Sequence, residues 1–375
     1  MLKFLSLKPD AFGMDISDFS IKIAKLKQNG NYLDLASFGD FSIKPNIIHN
    51  GEIKDEKALT KAIVDFLQEV KGEKIKTKYV VASLPEERSF LRIIKMPKMD
   101  KEELSNAIKY EAESYIPLPI DEVYFDFKII EPMHGHKQDL SVLITAMPKK
   151  IVDAYIRVLK GAGLKPLALE VESQSAVRAL IKDQVSSERV LILDMGAVRT
   201  GFDIFAGYDL RFTYSIPVCG QTFDKMIAKA LKVDLKTAEK LKIKYGLIDK
   251  FEKKVRLELD KKDEKSQVLE AMIPVLVDLT EQIEKYIDYY LTHSISESLP
   301  PNGKGVEKIL LCGGNAYTKG IDEFLSEELK AKAKIGNPWV NIPLSPETNE
   351  RTLILKKPAK YTTALGLALR AIRGG

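Results

Sequence analysis

The chain is poor in the residues and motifs that mark several protein classes. Only two of its 375 residues are cysteine, Cys219 and Cys312, and both stand in apolar, strand-like contexts. This usage predicts two reduced core thiols of a cytoplasmic protein and excludes a disulfide framework. The four histidines do not form a metal set, because His134 and His136 lack a third ligand nearby in the sequence. No Walker-type P-loop and no Ser/His/Asp signature occurs.

Charge and hydropathy exclude further classes. The chain carries 58 basic and 53 acidic side chains, a net charge of +5, and this small surplus does not indicate nucleic-acid binding. No segment approaches the roughly 18 uninterrupted apolar residues of a membrane span, so the sequence predicts no membrane span of its own. A chain of 375 residues with 45% hydrophobic residues is long enough for two or three packed domains.

Two segments of the chain look like copies of one strand–turn–strand device. Residues 13–23 and 193–202 each begin as a buried strand that ends in an aspartate, turn through small polar residues and return as a second strand. A third segment, 309–315, is an apolar strand that breaks into two glycines before a helical stretch. Two acidic hairpins and one Gly-Gly turn predict a duplicated, two-lobed clamp for the phosphates of a nucleotide.

The second hairpin contains the residue types that such a clamp uses. Gly196 lets backbone N–H groups approach a phosphate closely, and the carboxylate of Asp194 can hold Mg²⁺ or its water. Thr200 is expected to add a hydroxyl donor as the chain returns. Taken alone, this motif is also typical of an ordinary hairpin, because Asp commonly caps turns.

The Gly-Gly turn and a helix of the second lobe supply candidates for the adenosine side. At Gly313, Gly314 and Asn315 a base or ribose can pack on bare backbone, with the N-terminus of the following helix nearby. Glu239 and Lys242 are candidates to reach a ribose or base. The alternative for both side chains is a solvated helical face.

The first hairpin departs from the expected pattern. Ser17 stands where a nucleotide clamp would favour glycine. Asp18 adds a second carboxylate near the expected phosphates, which it would repel unless it faces outward or Mg²⁺ intervenes. We expect this departure to slow hydrolysis more than it weakens binding.

The remaining pattern predicts how these motifs are organised. Residues 11–43 predict a β-meander, and a helix and a buried strand follow it. Residues 84–147 predict a separate strand–helix–strand–strand block, whose helix begins at Asp100. A polar stretch at 184–188 marks the boundary between the lobes. The second lobe contains a long amphipathic helix, and a helix of small residues at 363–370 ends the pattern.

In their order along the chain, these segments resemble the actin-like ATPase superfamily, and within it the PilM family of type IV pilus assembly, a relative of the division protein FtsA. The resemblance rests on residues 13–22, 116–123, 162–166, 194–200, 238–242, 313–315, 336–339 and 364–370. No single motif is decisive, but their order spans nearly the whole chain. The resemblance implies an α/β, two-lobed actin-like or ribonuclease H-like ATPase fold with an FtsA/PilM-type 1C subdomain.

The resemblance also implies subdomain boundaries. In the nomenclature of the superfamily, they are 1A at 1–83 and 148–187, 1C at 84–147, 2A at 188–222 and 306–345, 2B at 223–305, and a C-terminal segment at 346–375 that returns to 1A. The inserted 1C block replaces a different subdomain of actin in this family.

For the site, the resemblance implies a protein that binds ATP and Mg²⁺ and is at most a slow ATPase. Asp15 and Asp194 are expected near Mg²⁺, directly or through water, and near the phosphates, as the residues that would act in any hydrolysis. The expected nucleotide contacts are Asp15, Ser17, Lys22, Asp194, Gly196, Thr200, Glu239, Lys242, Gly313, Gly314 and Asn315.

The resemblance implies a partner as well. A groove beside the 1C block is expected to receive the cytoplasmic N-terminal peptide of a PilN-like bitopic membrane protein, with the helix at 100–115 as the candidate platform. The alternative for this helix is that its apolar stripe covers the sheet of its own subdomain. The protein is then expected at the inner face of the cytoplasmic membrane through its partner, without nucleic acid, and self-association stays open.

Two other functions stay open at this point. One is an FtsA-like filament former. FtsA carries a C-terminal amphipathic membrane helix, whereas this sequence stops at 371–375 without one, which argues against this function. The other is a small-molecule kinase of the same superfamily, which needs a carboxylate base near the γ-phosphate. Asp194 could serve as that base, but no sugar-contact motif is recognisable.

Overall fold

The computed structural model describes residues 9–130, 139–247, 263–293, 305–345 and 356–374. These residues divide into two compact units: unit 1 runs up to Val185 and resumes at Asn337, and unit 2 begins at Ser186 and ends at Gly336. The division falls inside the polar stretch at 184–188. His134 and His136 lie outside the described residues.

The two units contain the following strands and helices within the described ranges. The strands are β1 (Ala11–Ile16), β2 (Ser20–Asn29), β3 (Tyr32–Ser42), β4 (Ile48–His49), β5 (Glu52–Ile53), β6 (Lys71–Gly72), β7 (Tyr79–Leu84), β8 (Phe90–Pro97), β9 (Val123–Ile130), β10 (Asp139–Pro148), β11 (Lys165–Val171), β12 (Ser186–Met195), β13 (Thr200–Gly207), β14 (Asp209–Ile216), β15 (Lys308–Cys312) and β16 (Lys332–Ile335). The helices are α1 (Glu56–Gln68), α2 (Lys101–Ala112), α3 (Lys149–Gly161), α4 (Glu172–Leu180), α5 (Gly220–Leu231), α6 (Leu235–Tyr245), α7 (Glu264–His293), α8 (Ile321–Glu328) and α9 (Thr362–Arg373). No helix within the described ranges combines the length and the apolarity that crossing a membrane takes.

The main sheet of unit 1 has the strand order β11-β7-β1-β2-β3-β6. Strands β1, β2 and β3 form the predicted antiparallel meander, whereas β7 and β11 run parallel to β1. The carboxyl ends of three parallel strands therefore meet at one edge. Asp15, the penultimate residue of β1, lies at that edge.

Helices cover both faces of this sheet. On one face, Leu59 of α1 and Tyr155 of α3 pack with Phe12 and Met14 of β1, and all four are almost completely buried. On the other face, apolar residues of β2 and β3 pack against α9. Strands that are buried on both faces are expected to be apolar throughout, and β1 is buried at every position.

Helix α9 is held against β1 and α4 by small residues and by a buried ionic cluster. A Cβ at Gly13 of β1 would lie closer than 3.0 Å to backbone atoms of α9, including Ala364. The carboxylate of Glu170 is paired with Arg178 of α4 and with Arg370 of α9. Because its side chain is only 1% exposed, Glu170 joins α4, β11 and α9 at a buried site.

The predicted strand–helix–strand–strand block is present in unit 1 as the three-stranded sheet β8-β10-β9 and helix α2. The N–H of Glu103 donates to Asp100 Oδ1 at 2.9 Å, which is the predicted helix start, and the helix ends at Ala112 rather than Tyr115. Leu104 and Ile108 pack onto the sheet of this block. The apolar stripe of α2 therefore covers the block's own sheet, and docking of a partner on this helix and its neighbouring strands stays a prediction.

Unit 2 repeats the strand order of unit 1. Its sheet is β14-β13-β12-β15-β16, in which β12, β13 and β14 form an antiparallel meander and β15 and β16 run parallel to β12. Phe202 of β13 packs with Leu276 and Ile283 of the long helix α7. Both cysteines are free and buried, but Cys219 caps the start of α5 and does not lie in a strand.

Candidate functional site

The carboxylate of Asp15 is held by donors from two neighbouring strands. Ser83 Oγ of β7 donates to Asp15 Oδ1 at 3.2 Å, and Lys22 Nζ of β2 donates to Asp15 Oδ2 at 3.1 Å. Ser83 Oγ also accepts the N–H of Ile16 at 2.9 Å. Asp15 is only 5% exposed, so these contacts fix the direction of a buried charge. The sequence analysis did not identify Ser83, because parallel pairing of β1 with β7 cannot be read from local spacing.

Ser17 closes the turn of the first hairpin with its own side chain. Its N–H donates to the carbonyl of Ser20 at 2.9 Å, and its Oγ donates to the same carbonyl at 3.0 Å. Lys22 Nζ in turn donates to Ser20 Oγ at 3.1 Å. The serine that replaces the expected glycine is therefore accommodated by a hydrogen bond within the turn.

Asp18 does not point toward the turn that would hold phosphates. Its carboxylate accepts the N–H of Asn50 at 2.8 Å and the N–H of Gly51 at 2.9 Å. Tyr155 supports the same loop by donating its hydroxyl to the carbonyl of Gly51 at 3.1 Å. Burial, together with nearby carboxylates, raises the pKa of Tyr155 well above its usual value, so this hydroxyl stays a donor. The second carboxylate of the hairpin thus has a structural partner.

The second hairpin and the Gly-Gly turn meet at the carboxyl ends of two parallel strands. The register of β12 and β15 places Asp194 beside Cys312. The side-chain amide of Asn315 donates to the carbonyl of Gly196 at 2.8 Å. The N–H of Gly196 donates to the carbonyls of Asp194 and Arg199, both at 3.0 Å. Predicted residues from two distant segments are thereby brought into one local arrangement.

The two adjacent glycines differ in their surroundings. Gly313 has φ +82°, and a Cβ there would lie closer than 3.0 Å to Asp194 Oδ1 and 2.7 Å from the carbonyl oxygen of Met195. Gly314 has φ −67°, and a Cβ there would meet nothing within 4 Å. Gly313 therefore packs its bare backbone against Asp194, while Gly314 faces open space. A backbone surface of this kind fits a ribose or the flat face of a base.

Thr200 is buried in the second hairpin. It is 1% exposed, and its hydroxyl donates to the carbonyl of Val218 at 2.7 Å. The hydroxyl hydrogen is thus used inside unit 2, between β13 and the start of α5. A nucleotide contact of Thr200 stays a prediction.

Lys242 and Glu239 lie on α6 in different environments. Lys242 is 4% exposed, its Nζ lies 2.8 Å from Asp224 Oδ1, and it donates to the carbonyl of Gly220 at 3.1 Å. Burial raises the pKa of Asp224, although the lysine opposes this rise. Glu239 is exposed. The alternative of a solvated helical face is therefore wrong for Lys242, whereas for the exposed Glu239 a contact with a ribose or base stays a prediction.

The side chains available as ligands can be compared with those that the implied Mg²⁺ needs. Within the described ranges, no group of three or more histidine, cysteine or carboxylate side chains could hold a metal ion. Mg²⁺ usually keeps several waters and binds through one or two carboxylates and substrate phosphates. Asp15 in unit 1 and Asp194 in unit 2, each beside a phosphate-type turn, are carboxylates of the kind that takes part in such coordination.

Comparison with solved structures identifies the class of this fold. The chain aligns with the PilM-PilN type IV pilus biogenesis complex at a TM-score of 0.79 and 26% identity, over 98% of this chain and 99% of that one. It also aligns with MreB 5 of Spiroplasma citri bound to AMPPNP at a TM-score of 0.51 and 17% identity, over 95% and 98% of the two chains. The fold is that of the actin-like ATPases, as the sequence predicted.

The family follows from the sequence comparison. The family described as Type IV pilus assembly protein PilM matches residues 13–372, and the chain belongs to this family. Cell division protein FtsA of Streptococcus pneumoniae is 24% identical over 216 residues, which are 55% of this chain and 45% of FtsA. The chain thus spans about half the length of this relative. The predicted family and its relation to FtsA are confirmed.

Proposed function

We propose that this protein is an ATP-binding adaptor of the type IV pilus assembly platform, which binds the cytoplasmic N-terminal tail of a PilN-like membrane protein in a nucleotide-sensitive way. Membership of the PilM family supports the assignment to type IV pilus assembly. The alignment with a PilM-PilN complex over nearly the whole of both chains supports a PilN-like protein as the partner. Such a partner would keep the protein at the inner face of the cytoplasmic membrane.

The observation that carries the nucleotide half of the proposal is the turn at Gly313 and Gly314. Bare backbone is packed against Asp194 at one glycine and faces open space at the next. In this proposal the second hairpin and this turn bind the phosphates and the adenosine, and Glu239 and Lys242 approach the ribose. Mg²⁺, when bound, neutralises phosphate charge.

The first hairpin contributes one negative and one positive charge. Asp15 is held by Ser83 of β7, while Lys22 reaches it from β2 with a side chain that is 11% exposed. We propose that Lys22 binds a phosphate oxygen of ATP and that Asp15 then faces Mg²⁺, directly or through water. Because Asp18 is bonded to a backbone loop, it does not oppose binding. Turnover is slow in this proposal.

For the partner peptide, the block of β8, β9, β10 and α2 offers an aromatic surface. Tyr110 is 79% exposed, and Tyr115 lies beneath the guanidinium of Arg92 at 4.4 Å. Tyr124 of β9 is also exposed and donates its hydroxyl to Asp153 at 3.0 Å. Since the apolar stripe of α2 is buried, we propose that these tyrosines contact the tail. A tail that becomes ordered on binding gives modest affinity and easy exchange.

The proposal is tested by calorimetric titration with Mg-ATP, with and without a peptide that copies the partner's tail. We expect micromolar ATP binding, about −8 kcal/mol. Linkage requires that the peptide changes ATP affinity by the same factor by which ATP changes peptide affinity. Unequal factors or absent ATP binding would contradict a nucleotide-sensitive adaptor.

A matched pair of variants locates the site. Asp194→Ala is expected to lower Mg-ATP affinity at least about tenfold, because it removes the carboxylate beside the Gly-Gly turn. Asp278→Ala removes an exposed carboxylate from α7 and is expected to leave ATP affinity unchanged. Circular dichroism checks that both variants are folded. Equal ATP affinities of the two variants would exclude Asp194 from the site.

A further inference from the structure

The positive charge of the chain is concentrated on one helical hairpin. Residues 220–247, which form α5 and α6, contain seven lysines and three carboxylates. This excess of positive charge is nearly as large as the net +5 of the whole chain. A field concentrated in this way attracts groups of opposite charge.

Six of these lysines are exposed, and most of them form no ion pair with another residue in the part of the chain that the structure describes. On α6, Lys236, Lys240 and Lys244 recur four residues apart, and we call this set the basic ridge. All three are exposed. Lys244 Nζ lies 3.6 Å from Glu264 Oε1, whereas Lys236 and Lys240 form no ion pair with any other residue that the structure describes. Residues four apart lie on one side of a helix, so the ridge presents its charges in a line.

Two apolar side chains lie beside the basic ridge. Leu235 and Ile243 are each 53% exposed, well above the exposure of most leucines and isoleucines in this chain. They stand eight residues apart, which corresponds to about 12 Å along the helix. Glu239 stands midway between them and is exposed as well, so a segment that contacts both would pass beside the side chain that the proposed function places near the ribose. The same side of α6 therefore combines a row of cations with two separated apolar contacts.

We propose that the basic ridge binds an acidic, amphipathic peptide segment of a protein partner. Carboxylates of that segment would pair with Lys236 and Lys240, and two of its apolar side chains would pack on Leu235 and Ile243. An anionic bilayer fits less well, because a helix that lies in a membrane interface needs a continuous apolar face. Here Glu239 interrupts the apolar row and would have to be desolvated.

The neighbouring sequence of the chain does not complement this surface. Residues 248–262, which follow α6, carry six basic and four acidic side chains. A segment with a basic excess would add to the repulsion at the ridge. The charge pattern therefore points to a second molecule.

The test uses the full chain and a short fluorescent peptide of glutamates with two leucines spaced like Leu235 and Ile243. A control peptide carries glutamine in place of glutamate. Fluorescence anisotropy is measured at about 50 mM and about 300 mM salt, since exposed charges are screened at high ionic strength. We expect the acidic peptide to bind, the control peptide to bind at least about tenfold more weakly, and the difference to shrink at high salt.

Matched variants test the location. Lys236→Gln with Lys240→Gln is expected to lower peptide affinity about fivefold, because an exposed pair is worth up to about fivefold in affinity. Lys332→Gln with Lys334→Gln removes two exposed lysines from β16 of the same unit and is expected to have no effect. All of these side chains are exposed, so the variants are expected to fold, which circular dichroism checks.

Two results would overturn the proposal. In one, both double variants bind the acidic peptide equally well, which would show that the ridge is not the site. In the other, the protein does not bind the peptide but binds vesicles of phosphatidylglycerol and not vesicles of phosphatidylcholine. The variant with Lys236→Gln and Lys240→Gln then loses this vesicle binding. That result would assign the basic ridge to a membrane surface.

Discussion

Replacing Gly313 by alanine tests whether the second half of the site is built as the structure shows. The backbone at Gly313 has φ +82°, a region that residues with a Cβ rarely adopt. The added methyl group would also lie closer than 3.0 Å to Asp194 Oδ1 and 2.7 Å from the carbonyl oxygen of Met195. One of the two groups must therefore move, or the turn must change its backbone conformation.

The expected cost is the sum of two effects. Holding a non-glycine residue in a sparsely populated backbone region costs about 1–3 kcal/mol. Forcing an extra carbon into a well-packed site costs a further 1–3 kcal/mol or so. We expect Gly313→Ala to lower the free energy of unfolding by about 2–6 kcal/mol and to weaken Mg-ATP binding, because Asp194 is displaced.

The neighbouring glycine provides the control. Gly314 has helical backbone angles, φ −67° and ψ −38°, and a Cβ there meets nothing within 4 Å. Gly314→Ala is therefore expected to change stability by no more than about 1 kcal/mol in either direction. Urea denaturation measures both variants. If Gly313→Ala and Gly314→Ala unfold at the same urea concentration, the packing of Gly313 against Asp194 is refuted.

Three further predictions concern unit 1. Glu170→Gln is expected to lower the free energy of unfolding, measured by urea denaturation, by about 3–5 kcal/mol, because two arginines lose a buried partner. Glu56→Gln breaks an exposed pair and should lower it by less than about 1 kcal/mol. Similar losses in the two variants would contradict the buried cluster. Ser83→Ala is expected to reduce the Mg²⁺-dependent part of ATP affinity, because Ser83 orients Asp15. Ser37→Ala also loses the hydrogen bond of a buried serine but should leave ATP affinity intact. An equal effect of both variants would exclude a specific role of Ser83 in orienting Asp15. Hydrogen bonds from two lysines lower the pKa of Glu52 from 4.5 to about 2. These bonds therefore stabilise the folded protein fully above about pH 4.5, and this contribution is lost as the pH falls through about 2. The difference in the free energy of unfolding between wild type and Glu52→Gln should vanish in acid.

The strand–turn–strand devices could be predicted because their signals are local. Asp15 and Asp194 each follow an apolar strand and precede a turn, and hydrophobic patterning identifies such strands without knowledge of their neighbours. The repeated strand order of the two units then follows from the repeated meander. The helix start at Asp100 could be predicted for the same reason, since its capping hydrogen bond joins residues three apart.

The contacts that the sequence did not reveal join distant parts of the chain. Ser83 approaches Asp15 only because β7 pairs in parallel with β1, and Asp18 finds its partners in a loop that begins at Asn50. Lys242 looked like an ordinary surface lysine, and only the packing of α6 on α5 gives it a buried acidic partner. The apolar stripe of α2 was visible, but which surface it covers depends on the fold of the block.

The packing of α9 against β1 sets an order of events during synthesis. Strand β1 leaves the ribosome before residues 186–336 of unit 2, and α9 leaves after them. Contacts between nearby segments form faster than those that close long loops, so unit 2 can complete its core while unit 1 still lacks α9. The strand that carries Asp15 reaches its final packing only when α9 has been made. The first hairpin therefore matures after the second, although it is made before it.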